Sequence, residues 1–394
     1  MQWTRAVMVP ACREFELLPG CIESLASIPH KTIAVVVLNE RADASSLVRQ
    51  DNQQTRSWLL SHKHEQINEN EYLIDFTNID VLLVDHSSQG VVLGSKQGVG
   101  KARDIGMRRC IQLIEDGQVS CPWVWSTDAD ARFASDYLEI PSHDVGVAIL
   151  PYLHHPSPAA LDIYDIGLRY YALGLLWAGC PYAFPTLGSV IVIHKSLYLQ
   201  IHGFPDRLAA EDFYLLNKAS KFAPLRYLRR KPVQLIGRPS DRVPFGTGRG
   251  MMEIAAKELQ HNFYHPDCFR RIRDWVQVLY HATVDELIDK LRDLAPQFPG
   301  LKKLARLTKQ RVPPKQQIRR RHEFFDAFWY MKLIHHLRDY HFPSIPWQQA
   351  LEQAEFIDTM ATERKAIKQA LEEHEFSLFV DREFGLQRLA TSAS

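Results

Sequence analysis

Two aspartates that stand two residues apart follow a short apolar stretch of the chain. The stretch "CPWVW" leads into "STDADAR", which contains Asp128 and Asp130. Side chains at positions i and i+2 of an extended chain point to the same side, so both carboxylates can face one ion directly or through water. Oxygen ligands suit Mg²⁺ or Mn²⁺. Such an ion normally keeps some of its coordination positions open for substrate phosphates. The pair predicts a metal site, and a capped turn with solvated aspartates is the alternative interpretation.

A glycine-containing segment with basic residues lies upstream of this pair. In "KQGVGKARDIG", Lys101 and Arg103 fall in the first turn of a predicted helix, after Gly98 and Gly100. The N-terminus of a helix that follows such a turn can approach a phosphate group closely. Glycine-rich helix starts also occur without any ligand, so this segment alone is a weak indication.

Two further candidate segments lie downstream. Glu211 and Asp212 open a predicted helix in "GFPDRLAAEDFYLLNKA". The helix dipole favours acids there, which gives a structural interpretation, but one of the two carboxylates could also take a proton from an attacking hydroxyl. In "IGRPSDRVPFGTGRG", Arg238, Arg242 and Arg249 are interleaved with glycines. Guanidinium and amide groups of this loop could hold a diphosphate, or the loop could simply lie at the surface.

The elements that must position these residues alternate between strands and helices. The runs "AVMVP", "TIAVVVLN", "IDVLLVDHSS" and "WVWSTDAD" predict strands, and stretches such as "SSLVRQDNQQTRSWLLSHKHEQI" predict helices between them. This alternation indicates an α/β fold with a mostly parallel sheet. Ligands of such sheets bind at the carboxyl ends of the strands. The segments "PACRE", "LNER" and "STDADAR" all lie at such ends.

Helical periodicity dominates after about residue 255. We predict a catalytic domain over residues 1–255 and a helical region over residues 256–394, whose last helix runs from Trp347 to Phe376. A basic connector at residues 306–321 holds seven basic residues and no acid. It could attract anionic lipid head groups at a membrane surface or a polyanionic acceptor, or it could be a solvated linker.

Composition excludes several classes of protein. The 394 residues suggest two domains, and 47 Lys+Arg against 46 Asp+Glu give no indication of a nucleic-acid partner. Six cysteines without a CxxC pair argue against a zinc module or a disulfide scaffold and favour a cytoplasmic location. The longest uncharged stretch, Tyr170–Ile193, contains prolines and glycines, so no membrane-spanning helix is predicted. Its aromatic side chains could line an acceptor groove or belong to the core.

Taken in order, the segments resemble the motifs of a known family. "VMVPACRE", "GVGKARDIG", "STDADAR", "LGSVIVIHKSLYLQIHGFPD", "AEDFYLL" and "GRPSDRVPFGTG" are similar to successive motifs of family-2-type glycosyltransferases, over roughly residues 5–255. The resemblance implies a GT-A fold, with helices on both faces of the central sheet. It also implies a hexosyltransferase-like enzyme that transfers a sugar from a nucleotide-diphosphate donor to a hydroxyl of a glycan, a lipid-linked or a small-molecule acceptor.

The resemblance also implies roles for individual residues. Asp130 and Asp128 would hold Mn²⁺ or Mg²⁺, and Asp212, or less favourably Glu211, would activate the acceptor in a single displacement with inversion. The residues that would contact the nucleotide sugar are Pro10, Ala11, Glu14, Asn39, Lys101, Arg103, Asp128, Ser240 and Arg242. Asn39 stands where many relatives have an Asp-rich turn, "ARD" replaces the usual "ARN", and no "QxxRW" motif is present. The last departure disfavours a processive polymer synthase.

Two other functions fit parts of the pattern. A sugar nucleotidyltransferase would use a related sheet, but "PACREFELLPG" lacks the glycine-rich loop of those enzymes. A non-catalytic scaffold with a glycosyltransferase-like fold is the second alternative, against which the intact Asp128, Asp130 and Asp212 argue. The protein is expected in the cytoplasm, with possible peripheral contact at the inner face of the membrane.

Overall fold

The computed structural model describes residues 2–88, 91–141, 146–238, 246–308 and 313–386. The strands are β1 (Arg5–Ala11), β2 (Thr32–Asn39), β3 (His64–Asn68), β4 (Glu71–Phe76), β5 (Ile79–His86), β6 (Trp123–Ser126), β7 (Ala131–Arg132), β8 (Val147–Ile149), β9 (Tyr152–His154), β10 (Ile191–His194), β11 (Leu225–Tyr227), β12 (Val233–Leu235), β13 (Asn262–Phe263), β14 (Ile345–Pro346) and β15 (Glu383–Phe384). The helices are α1 (Leu18–Ala26), α2 (Ser46–Leu60), α3 (Val99–Glu115), α4 (Ala159–Trp177), α5 (Lys195–Gln200), α6 (Glu211–Phe222), α7 (Thr247–Ala256), α8 (Pro266–His281), α9 (Val284–Leu294), α10 (Gly300–Thr308), α11 (Pro314–Phe324), α12 (Ala327–Tyr340), α13 (Trp347–Gln353) and α14 (Arg364–Phe379).

The chain divides into two compact units. The first comprises residues 1–156, 186–219 and 225–249, and the second comprises residues 157–185, 220–224 and 250–394. Helix α4, from the middle of the sequence, therefore belongs to the same unit as the C-terminal helices. Contacts between residues far apart in sequence decide this division.

The first unit is built on a large mixed sheet, which confirms the predicted α/β class. Its strands follow the order β11-β8-β10-β6-β1-β2-β5-β4-β3. The pairs β6–β1, β1–β2 and β2–β5 are parallel, whereas β10 runs antiparallel to both β6 and β8. Every residue of β2 is buried, as expected for a central strand with an unbroken apolar run. A smaller sheet of order β7-β12-β9 follows the exit of β6.

The predicted helix after β2 is wrong in its last third. Helix α2 ends at Leu60, and His64–Asn68 forms the strand β3, which pairs antiparallel with β4 and so extends the sheet beyond β5. All five residues of β3 are exposed. A polar segment of this kind carries no apolar alternation that would mark it as a strand, so its pairing with β4 decides its structure.

The predicted final helix is also wrong, because it is two helices. Helix α13 ends at Gln353 and α14 starts at Arg364, with a non-helical stretch between them. That stretch contains the β-branched residues Ile357, Thr359 and Thr362, which have low helix propensity. The basic connector, in contrast, is helical over most of its described part, because α10 continues to Thr308 and α11 starts at Pro314.

The second unit consists mainly of helices, as predicted for the C-terminal region. Tyr170 of α4 packs at its centre, with ring-centroid distances of 5.2 Å to Phe263, 5.4 Å to Phe269 and 5.1 Å to Phe356. Among the helices within the described ranges, none combines the length and the apolar character needed to cross a membrane.

Candidate active site

The carboxyl ends of β2, β1 and β6 lie side by side in the first unit, because these strands are neighbours and parallel. In the strand register, Ala11 faces Leu38 of β2, and Met8 faces Ser126 of β6. The backbone N–H of Thr127 donates to the Met8 carbonyl at 3.0 Å, which continues the pairing beyond β6. The segments that contain Glu14, Asn39 and Asp128 therefore leave the sheet at the same edge, as the sequence predicts.

Asp128 and Asp130 occupy a turn, and not the extended chain assumed from the sequence. The N–H of Ala131 donates to the Asp128 carbonyl at 3.1 Å, and the N–H of Ile236 donates to the Asp130 carbonyl at 3.1 Å. The turn joins β6 to β7, and the pairing of β7 with β12 fixes its far side. The Asp128 side chain is 35% exposed and Asp130 is half-buried. Both acids thus lie on a fixed turn close to the protein surface.

The side chain of Arg103 joins the two acidic motifs. Its Nη2 donates to Oδ1 of Asp128 at 2.6 Å, and its Nε donates to Oε1 of Glu211 at 2.9 Å. Its Nη1 lies within hydrogen-bond distance of Ser126 Oγ at 3.0 Å, and of the carbonyls of Thr127 at 3.1 Å and Gly188 at 3.2 Å. Arg103 is only 3% exposed, so its guanidinium is buried. A buried guanidinium requires such partners, because an unpaired buried charge is costly.

The glycines of the site serve close packing of protein segments. A Cβ on Gly188 would lie 2.4 Å from Nη2 of Arg103, and a Cβ on Gly100 would lie 2.4 Å from the Pro205 carbonyl oxygen. The N–H of Gly100 also donates to the Arg207 carbonyl at 3.2 Å. The segment that precedes Glu211 therefore packs directly on the start of α3. The sequence interpretation assigned Gly98 and Gly100 to a phosphate, whereas a Cβ at Gly98 would lie 2.9 Å from Leu208 Cα and one at Gly100 would meet the Pro205 carbonyl.

Asp212 and Glu211 have different environments although they are neighbours. Glu211 is 4% exposed and forms the ion pair with Arg103. Burial, with an added contribution from the Glu211 carboxylate, raises the pKa of Asp212 from 3.8 to about 7, although Arg103 opposes this shift. The preceding residue, Ala210, has a φ of 60°, a strained conformation of the kind that is common at functional sites. A carboxyl with a pKa near neutrality suits a general base.

The other predicted nucleotide contacts lie around the exits of β1 and β2. Pro10 and Ala11 end β1, and Asn39 ends β2. The Asn39 carbonyl accepts a hydrogen bond from Nδ2 of Asn52 at 3.1 Å, and Oδ1 of Asn52 accepts from the Arg13 N–H at 2.9 Å. Asn52 therefore connects the two exits, a role that its position inside α2 did not indicate.

Glu14 and Lys101 also lie in this part of the first unit. Glu14 is 6% exposed and forms an ion pair with Arg238. Lys101 is half-buried in the first turn of α3. Ser240 and Arg242, the predicted diphosphate contacts, lie outside the described residues. The ion pair of Glu14 places Arg238, two residues before Ser240, beside the segment that follows β1.

Asp85 is a carboxylate at the same sheet edge that sequence reasoning missed. It lies near the end of β5, the neighbour of β2. Its side chain accepts hydrogen bonds from Arg56 Nε at 2.7 Å and from Ser87 Oγ at 2.8 Å. Burial opposes its ionisation, but hydrogen bonds from Ser88, Ser87 and Arg56 lower its pKa. An acid followed by two serines after an apolar strand, "VDHSS", was the available signal.

The chemistry of Asp128 and Asp130 fits a divalent cation with few protein ligands. Within the described ranges, no three His, Cys, Asp or Glu side chains are grouped so that they could hold a metal ion. Mg²⁺ commonly binds one or two carboxylates and takes its other ligands from water and substrate phosphates. Arg103 engages Oδ1 of Asp128, so Asp128 would bind an ion through Oδ2, with Asp130 as the second acid of the turn.

Tyr182 and Phe184 of the uncharged stretch Tyr170–Ile193 belong to the core of the second unit. Tyr182 is 2% exposed and its hydroxyl donates to the His322 carbonyl at 2.7 Å. Phe184 is 6% exposed, with its ring centroid 6.1 Å from that of Phe384. These contacts favour the core interpretation of this segment over an acceptor groove.

Comparison with known proteins gives only distant similarity. No protein-family profile and no curated protein sequence matches the chain. S. aureus TarS residues 1–349 in complex with UDP-GlcNAc is 15% identical with a TM-score of 0.38, covering 81% of this chain and 89% of that chain. A second structure of the same fragment is 13% identical with a TM-score of 0.35 and the same coverage. A longer S. aureus TarS structure is 14% identical with a TM-score of 0.36, covering 85% of this chain and 55% of that one.

At TM-scores below 0.4, this likeness carries no argument about the reaction. The function of this chain is therefore inferred from its own residues.

Proposed function

We propose that this protein is a metal-dependent glycosyltransferase that moves a sugar from a nucleotide-diphosphate sugar to an acceptor hydroxyl. The observation that carries the proposal is the Arg103 network at the carboxyl edge of the sheet. It joins Asp128 of one acidic motif to Glu211 of the other, although they are far apart in sequence. Carboxylates gathered at this edge of an α/β sheet are placed where such sheets bind ligands.

The two acids of the second motif have separate tasks in this proposal. Glu211 is buried against Arg103 and holds the start of α6 in place. Asp212 is half-buried and has a pKa of about 7, so near neutral pH a substantial fraction of it can accept a proton. We assign the proton of the acceptor hydroxyl to Asp212. Inversion of the sugar in a single displacement is the corresponding expectation.

Asp130 and Asp128 would hold the divalent ion. When bound, the ion supplies positive charge where the leaving nucleoside diphosphate gains negative charge. Arg103 is not available for this task, because its donors are engaged by protein groups. Arg242 of the late loop is the proposed second cation at the diphosphate.

The proposal is tested by measuring sugar release or transfer with a panel of nucleotide sugars in Mn²⁺ and in EDTA. We expect turnover in Mn²⁺ and its loss in EDTA. Replacing Asp130 with Ala should lower kcat by about 10²–10³-fold, the usual loss when a charge-stabilising contact is removed. Asp116→Ala, at an exposed position after α3, is the matched control and should keep wild-type kcat.

The same experiment separates the other functions. Equal turnover in Mn²⁺ and in EDTA would contradict the metal dependence. It would not contradict the proposed transferase activity. Pyrophosphate release from a sugar phosphate and a nucleoside triphosphate would show a nucleotidyltransferase instead. Calorimetry that detects no binding of any nucleoside diphosphate, with or without Mn²⁺, would favour a scaffold.

The acceptor and the cellular location remain predictions. Lys302, Lys303 and Arg306 are exposed on α10, which supports a contact with an anionic surface. Co-sedimentation with vesicles containing anionic lipid, compared with neutral vesicles, would test a peripheral membrane contact.

A further inference from the structure

We infer that Arg103 is a positioning residue that holds the metal motif and the base motif in register, and that it does not contact the nucleotide. The inference rests on the proposed function, because it concerns the alignment of Asp130 and Asp212 through their neighbours Asp128 and Glu211. It replaces the role beside the base and ribose that the family resemblance implies for Arg103.

Protein groups already engage all three nitrogens of the Arg103 guanidinium. Nε bonds Glu211, Nη2 bonds Asp128, and Nη1 faces Ser126 Oγ together with two backbone carbonyls. A guanidinium has five N–H donors and no acceptor. With 3% of Arg103 exposed, a nucleotide could reach these donors only by displacing bonds that a buried charge requires.

Arg103 also joins three segments that are distant from one another in sequence. It extends from α3 to the exit of β6 at Ser126, to the Gly188 carbonyl before β10, and to Glu211 at the start of α6. The absence of a side chain at Gly188 is what admits the guanidinium, because a Cβ there would lie 2.4 Å from Nη2. The ring of Phe204 lies 5.9 Å from the guanidinium carbon and adds apolar cover.

The planar guanidinium of Arg103 fixes the two carboxylates relative to one another. Asp128 and Glu211 bond different nitrogens of one rigid, planar group, so the positions of both carboxylates depend on the same plane. A lysine ammonium is a compact point charge on a flexible stem and cannot reproduce this fork. Arg103→Lys should therefore keep the charge but lose the alignment.

The test compares Arg103→Lys and Arg103→Gln with the same replacements at Arg109. Arg109 lies on the same helix and forms an ion pair with Glu71 at 3.0 Å, away from both acidic motifs. For Arg103→Lys we expect kcat to fall by about 10²-fold or more, the usual cost of misplacing catalytic groups by about 1 Å. The dissociation constant of a nucleoside diphosphate in EDTA should stay at the wild-type value, and the Arg109 variants should keep both values.

Three results would overturn the inference. One is a loss of nucleoside diphosphate affinity in EDTA with kcat unchanged, which would show a direct contact. Another is wild-type kcat in Arg103→Lys. The third is a crystal structure of Arg103→Lys in which Asp128 and Glu211 stay within about 0.5 Å of their present positions.

The crystal structure also separates this inference from the proposed function. A wild-type protein without turnover or nucleotide binding would refute the function alone. The displacement of Asp128 and Glu211 in Arg103→Lys would still decide the role of Arg103. Should Arg103→Gln fail to fold, Arg103→Lys, which retains the charge, carries the test.

Discussion

Each unit of the protein buries a network of cations and carboxylates, but the two networks differ in how they meet the surface. In the first unit, buried Arg103 bonds Asp128, whose side chain is still 35% exposed. In the second unit, Lys368 of α14 lies 3.1 Å from Asp165 and 3.4 Å from Asp162, and all three are at most 9% exposed. Both networks compensate buried charges. Only the first leaves carboxylate oxygen where a substrate could reach it.

Each network also lies beside an acid whose pKa is raised to about 7, Asp212 in the first unit and Glu375 in the second. The surroundings of the two acids give this raised pKa different consequences. Asp212 is half-buried at the start of α6, in the motif that Arg103 joins to Asp128. Glu375 is 2% exposed inside α14, where burial raises its pKa, Arg169 opposes the shift, and Asp165 and Glu372 add to it. A raised pKa therefore suggests chemistry at Asp212 and a stability effect at Glu375.

The comparison predicts its largest effect at Asp212. Asp212→Asn removes the proposed base, so kcat should fall by about 10²–10⁴-fold, the range for loss of general acid–base catalysis. Glu375→Gln is the matched control, because it replaces an acid of similar pKa in the other network and should keep wild-type kcat. Near-wild-type kcat in Asp212→Asn would remove the distinction drawn between the two acids.

The pH profile of the wild-type protein sharpens the same point. Because the pKa of Asp212 is raised to about 7, its carboxyl is protonated, and inactive as a base, below that pH. We expect kcat/KM to rise about tenfold per pH unit up to pH 7 and then to level off. A flat profile between pH 5 and 8 would contradict the assignment of the base.

The second effect is expected in the stability of the second unit. Lys368→Met removes the ammonium group that compensates buried Asp165 and Asp162, of which Asp162 keeps an ion pair with Arg364 at 3.0 Å, and should lower the free energy of unfolding by about 3–5 kcal/mol. The measurement is urea unfolding, with Lys365→Met as the control on the exposed side of the same helix. The comparison predicts that kcat of the folded Lys368→Met protein stays at the wild-type value. A large loss of kcat at temperatures where it remains folded would show that this network serves the reaction.

Much of the sheet could be predicted from the sequence, because local patterns determine it. The run Thr32–Asn39 is apolar from Ile33 to Leu38 and forms β2 with the predicted bounds. The position of Asp128 and Asp130 just after β6 followed from the same reasoning. The end of α2 and the division of the last helix could not be predicted, because pairing and packing with distant segments override weak local preferences there.

The candidate site shows the same limit more clearly. Asp128, Glu211 and Asp212 were found by residue type and spacing, but the function of Arg103 depends on partners up to 108 residues away in the sequence. A basic residue at a helix start looks the same whether it faces a phosphate or two carboxylates of the protein. Asn52 and Asp85 were missed for a related reason, because their partners are brought together only by the sheet order.

The smallest effect concerns the pH dependence of stability through Glu375. Its pKa in the folded protein is about 7, against an ordinary value of 4.5, so between these values the folded protein holds a proton that the unfolded chain has lost. The stability that this proton contributes is complete below about pH 4.5 and is lost as the pH rises through 7, at up to about 1.4 kcal/mol per pH unit. The side chain introduced in Glu375→Gln cannot lose a proton. The free energy of unfolding of the variant, relative to that of the wild type, should therefore rise between pH 5 and 8. Urea unfolding at each pH measures the difference, with exposed Glu373→Gln as the control. Parallel stability curves for wild type and Glu375→Gln would show that the buried carboxyl stays ionised, and the second network would then hold all its acids as ion pairs.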